Sequence, residues 1–159
     1  MPTLFAWLGN SDLRASEDAA GADFGPILMA LETGVYDRLV LLSDHGQQKT
    51  QNFVAWLSGK FTGATEVRYA KLRSPTDFED IYVAANGAVS ATLSSSPELP
   101  VTFHVSPGTP AMAAVWVLLA KAKYGADLIS TTHYRVMKPY RPVVHAQGNL
   151  SMKDGDCRN

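Results

Sequence analysis

Val101-Thr102-Phe103-His104-Val105-Ser106-Pro107-Gly108-Thr109-Pro110-Ala111-Met112-Ala113-Ala114-Val115-Trp116 decides the fold. Its first five residues read as a short apolar strand. From Ala111 to about Tyr124 the chain follows a helical period and is apolar nearly all round, which predicts a deeply buried helix. The junction carries the chemistry. Gly108 lets a backbone approach something closely. Thr109 suits the cap position, and Pro110 suits the first helical residue, where its missing N–H would have no partner anyway. A helix that begins this way turns free amides and its positive end outward, ready for a phosphate or another acceptor.

The same alternation runs outward in both directions. Leu4 to Leu8 reads as a strand, and Gly9 to Gly25 as a polar stretch. Pro26 opens a short helix to about Thr33, and Arg38 to Ser43 is an apolar strand. Gln47 to about Lys60 reads as a helix, with Phe53, Trp56, Leu57 and Lys60 on one stripe, and Glu66 to Leu72 as a third strand. Thr76 and Glu79 form a capping-box pattern ahead of Phe78, Ile81, Tyr82, Ala85 and Val89 at helical spacing. Ser94 to Pro97 ends that helix, and Asp127 to Thr131 reads as a fifth strand. Strands that alternate with helices imply an α/β, Rossmann-like three-layer sandwich with a mainly parallel sheet, ordered 3-2-1-4-5. The pattern fades after Tyr134. A last strand is expected at Pro142 to His145, so residues 1–147 read as one domain and 148–159 as a polar tail.

Composition agrees. The 159 residues are 46% hydrophobic and 18% charged, as in one globular domain. The 14 Lys and Arg against 15 Asp and Glu exclude a polyanion binder working by bulk charge, and no direct DNA binding is expected. The single Cys excludes an internal disulfide and a Cys-based zinc site, and it fits a reducing cytosol. No signal peptide is seen at the start, and no apolar run is long enough for a membrane span. A cytoplasmic protein is the expectation.

Open parallel sheets bind ligands beyond the carboxyl ends of their strands, where the strand order reverses. With order 3-2-1-4-5, that point lies between the first and fourth strands. The candidate ligand-binding residues are Gly9, Asn10, Ser11 and Asp12 after the first strand, and Ser106, Pro107, Gly108, Thr109 and Met112 after the fourth. Neither G-x-G-x-x-G nor G-x-x-x-x-G-K-[ST] is present, which argues against an ordinary dinucleotide site and a P-loop ATPase. The four His show no metal-ligand spacing, so neither metal nor cofactor is expected.

Phe103 to Trp116 resembles the fourth-strand motif of CARF domains, the CRISPR-associated Rossmann-fold sensors. The flavour is that of the sensor half of RNA-repair operon and sigma-54-dependent transcription regulators. Trp7-Leu8-Gly9-Asn10-Ser11-Asp12-Leu13 is similar to the first-strand motif, and Pro75-Thr76-Asp77-Phe78 with Ile81-Tyr82 matches in style. The resemblance implies a homodimer that cradles a cyclic oligoadenylate or an RNA end between two crevices. It also implies an output domain, for which this length has no room. The chain is then either a stand-alone sensor or the sensor part of a longer protein.

The favoured reading is a binding module rather than an enzyme. Its rival is a metal-independent ring nuclease in which Ser11, Arg14 and Thr109 align a 2′-hydroxyl with the neighbouring phosphate. A third reading makes both loops purely structural. His104, inside a strand, reads as an interior histidine, and Asp44-His45 as a polar turn at the carboxyl edge rather than a proton-transfer pair. Trp56 and Trp116 read as core, Lys121 and Lys123 as solvated. Ser16 to Asp23 reads as a plain loop.

Overall fold

The computed structural model describes residues 2–18, 24–132 and 135–136. Five parallel strands form the central sheet: β1 (Thr3–Trp7), β2 (Arg38–Ser43), β3 (Ala64–Tyr69), β4 (Val101–His104) and β5 (Asp127–Ile129), in the order β3-β2-β1-β4-β5. Thr3 pairs with Arg38 on one side and Val101 on the other, which makes β1 the central strand. All five of its residues are buried.

Successive residues of a strand face opposite sides of a sheet, and the two cores divide accordingly. Phe5, Trp7, Val40, Leu42 and Phe103 pack under α4 (Phe78–Ser95) and α5 (Pro110–Leu119). Leu4, Ala6, Leu8, Leu39 and Leu41 pack under α1 (Asn10–Glu17), α2 (Gly25–Thr33) and α3 (Gln47–Ser58). Three layers result. The first core centres on aromatic rings, with Phe103 stacked on Trp116 at 4.6 Å and edge-on to Phe5 at 5.7 Å.

Several sequence expectations are corrected. The stretch from Gly9 is not a loop: Asn10–Glu17 is a helix, capped at Gly9 and held to the core by Leu13 and Ala15. Asp77, not Thr76, caps α4, accepting from the Asp80 amide at 3.0 Å. With Asp77 as the cap, the third helical position is Asp80, so Glu79 does not stand where a capping box needs it. Trp56 is half-buried rather than core, tilted against Phe53 with the Lys60 ammonium 5.3 Å from its ring.

The helix after β4 is not apolar because it is wrapped. Val117 and Leu118 are 43% and 53% exposed, and the chain loosens into a π-helical turn over Ala120–Tyr124. The third strand starts at Ala64 and stops at Tyr69, short of Leu72. The fifth stops at Ile129, and Thr131–Thr132 instead begins a small antiparallel pair with Arg135–Val136. The strand expected at Pro142 to His145, the 147/148 boundary and most of the Ser16–Asp23 loop lie outside the described residues.

Candidate functional site

Strand β1 hands the chain to α1 on one face of the sheet, and β4 hands it to α5 on the other. The two connections diverge at the carboxyl edge and leave a crevice of about 260 Å³ between them. All nine predicted ligand-binding residues line it. The two loops touch. A methyl group on Gly9 would lie 2.8 Å from the Gly108 amide nitrogen, so only hydrogen fits between the backbones. Gly108 has φ +87°, a conformation costly for any residue with a side chain.

Two helix N-termini therefore converge. The first-turn amides of Asn10 and Ser11, and that of Ala111, precede any carbonyl their own helix could offer them. Among the described residues no Lys or Arg lines the crevice. An anion there would be held by main-chain donors and helix dipoles rather than by side-chain charge.

Several polar side chains in the crevice build it instead of facing it. Asp12 is buried, only 1% exposed. Its carboxylate accepts from the Ile27 amide at 2.8 Å and from the Gly9 amide at 3.3 Å, joining the first loop to α2. Ser106 Oγ donates to the Thr131 carbonyl at 2.9 Å and accepts from the Thr131 amide at 2.7 Å. Thr109 is the expected cap: its hydroxyl accepts from the Met112 amide at 3.3 Å and donates to the Pro75 carbonyl at 2.6 Å. That second bond ties the fourth loop to the segment before α4. Met112 is buried, with its sulfur accepting from the Thr109 amide at 3.4 Å.

The three residues of the ring-nuclease reading are brought together only in part. Ser11 and Thr109 both line the crevice, but the Thr109 hydroxyl is committed to Pro75. Arg14 is 3.4 Å from Ser11 Oγ yet lines a separate shallow depression with Lys49. Sequence reasoning also left residues out. Asp44, His45 and Pro75 line the crevice, delivered by β2 and by the segment before α4. The placement of Asp44-His45 directly after an apolar strand was the available signal for the first two.

His104 is interior, as expected. Its Nε2 lies 2.9 Å from Thr131 Oγ1, and its Nδ1 has no partner among the described residues. Burial pushes its pKa down to about 3. The folded protein thus keeps His104 neutral, while the unfolded chain protonates it below about pH 6.5. Stability is present above that pH and is lost as the pH falls. Between pH 8 and pH 5 the loss from this group is about 2 kcal/mol. His104→Gln, which can still bond Thr131, is expected to flatten that part of the pH profile in denaturant titrations. A parallel profile for both proteins would mean that His104 titrates alike in the folded and unfolded states.

Among the described residues no helix is long and apolar enough to cross a membrane, and no group of three or more potential ligands could hold a metal ion. No protein-family model and no curated sequence matches the chain. Solved structures do. Csm6 from Enterococcus italicus, bound to cyclic hexa-2′-fluoro-hexa-dAMP, superposes with a TM-score of 0.68 at 20% identity, over 87% of this chain and 35% of its own. Can2 from Sulfobacillus thermosulfidooxidans, in complex with cyclic tetra-adenylate, gives 0.56 at 14% identity, over 83% and 32%. A type III CRISPR defence DNA nuclease activated by cyclic oligoadenylate gives 0.54 at 17%, over 86% and 19%. The chain spans about a third or less of the length of these proteins. In fold, this chain is a five-stranded parallel Rossmann-like sheet of order 3-2-1-4-5, an architecture it shares with these three structures.

Proposed function

We propose that this chain is a ligand-sensing CARF domain that binds a cyclic oligoadenylate, or a related RNA end, and does so as a homodimer. The observation that carries this reading is the convergence of the α1 and α5 N-termini, with Gly9 and Gly108 in backbone contact at the switch point. Amide donors at two helix ends suit the phosphates of a nucleotide ring. The fold shared with structures that carry such rings supports the same ligand class.

Size supports the dimer. A crevice of about 260 Å³ falls just below the roughly 300–1,000 Å³ of ordinary small-molecule sites. A ring of several nucleotides outgrows it. Two crevices facing each other across a twofold axis supply the missing half, and an isologous contact of this sort is the commonest form of oligomer.

Calorimetry with cyclic tri-, tetra- and hexa-adenylate, and with linear oligoadenylates bearing 5′-hydroxyl and 2′,3′-cyclic phosphate ends, tests the proposal. Binding of one ring per two chains is the expected result. A folded protein that binds neither rings nor RNA ends would remove it.

A further inference from the structure

We infer that His45 is a specificity residue of the crevice, one that reads the ribose of a bound ring by accepting a hydrogen bond from a 2′-hydroxyl. The inference rests on the cyclic-RNA reading above. It starts from the turn that follows β2. Ser43 Oγ accepts from the His45 amide at 3.2 Å and is itself paired with Thr50 Oγ1 at 2.8 Å, which fixes the backbone at the mouth of the crevice. The imidazole is fixed as well, since its Nε2 lies 3.0 Å from the Leu8 carbonyl oxygen.

A carbonyl oxygen only accepts, so Nε2 carries the proton. In the neutral ring Nδ1 is then an acceptor. That atom has no partner among the described residues and is not among the buried polar atoms left unpaired, so it remains within reach of a ligand. The side chain as a whole is 22% exposed. A carboxylate oxygen of Asp44 lies 3.8 Å from Nε2.

The crevice therefore offers two kinds of recognition at close quarters. Main-chain amides donate, which suits phosphate oxygens. The pinned imidazole accepts, which suits a hydroxyl. In RNA the 2′-hydroxyl sits on the carbon next to the one bearing the 3′-phosphate, so a group that faces the phosphate's neighbour meets it first. That hydroxyl is what distinguishes RNA from DNA at a given site. A ring already held in place by Leu8 also loses little conformational freedom when it is used.

The test compares cyclic tetra-adenylate and cyclic hexa-adenylate with their all-2′-deoxy counterparts, on the wild type and two variants. His45→Gln places an amide N–H where Nε2 was and keeps the bond to Leu8, but has no acceptor at the Nδ1 position. His45→Asn places an oxygen near the Nδ1 position. The wild type should bind the ribose ring about tenfold more tightly than the deoxy ring, in line with one buried hydrogen bond. In His45→Gln the ratio should fall to near one, and His45→Asn should regain part of it. Tight binding by His45→Gln with the wild-type ratio intact, or a wild type indifferent to the sugar, would overturn the assignment of His45 alone. Failure of the folded wild type to bind either ring removes the cyclic-RNA reading, and the role of His45 with it.

Discussion

Asp12→Ala should cost this protein about 3 kcal/mol of stability, more than most single substitutions. The carboxylate is buried and its two oxygens serve two segments: one accepts from the Ile27 amide at 2.8 Å, the other from the Gly9 amide at 3.3 Å. Removing it strands two main-chain donors, each worth about 1–3 kcal/mol when left without a partner. It also removes a negative group from the first turn of α1, where the helix dipole favours one. For a chain of this size the midpoint of thermal unfolding should fall by roughly 6–12 °C. Asp12→Asn should fall between the wild type and Ala, because its amide turns a donor toward a donor. Any ring affinity should drop as well, since the Gly9 loop loses its tie to α2. If Asp12→Ala melted like the wild type and lost only ligand affinity, the carboxylate would be a ligand contact instead of a strut.

That distinction could not be read from the sequence. Gly9 to Asp12 stood out as a polar loop at the right place, but nothing in it pointed to Ile27 as the partner of Asp12. The same holds for Thr109 with Pro75 and for Ser106 with Thr131, pairs 34 and 25 positions apart. What was legible was what short-range chemistry writes. Leu39-Val40-Leu41-Leu42 is apolar on both faces because β2 is covered on both faces. Gly108-Thr109-Pro110 spells a strand-to-helix turn because each residue answers a local backbone need. Helix α1 escaped notice because only Leu13 and Ala15 among its eight residues bring an apolar side chain to the core. Val117 and Leu118 were placed inside because a fully apolar helix does not reveal which side its neighbours cover. The cap of α4 moved by one residue because Thr76 and Asp77 are both good caps, and Arg73, drawn to Asp77, Glu79 and Asp80, settles the choice.

Gly9→Ala should weaken binding of the cyclic adenylate that the wild type takes by about a hundredfold, the loss expected when a hydrogen bond to a charged group is removed. The backbone at Gly9 has φ −100° and ψ 164°, which alanine adopts freely, so no conformational strain enters. The effect comes chiefly from one contact. The new methyl would stand 2.8 Å from the Gly108 nitrogen, a main-chain atom that cannot swing aside. The two loops must part, and with them the amides of α1 and α5 lose their common focus. Gly108→Ala makes a useful contrast. Its methyl meets the Met112 sulfur at 2.6 Å, a side-chain end that can move, but φ +87° strains the backbone itself. That variant should lose about 1–3 kcal/mol of stability as well as affinity. Loops that serve the fold alone would let both variants change the melting temperature while leaving ring affinity untouched. A folded Gly9→Ala protein with wild-type affinity in a calorimetric titration would place the ligand somewhere other than the junction of β1 and β4.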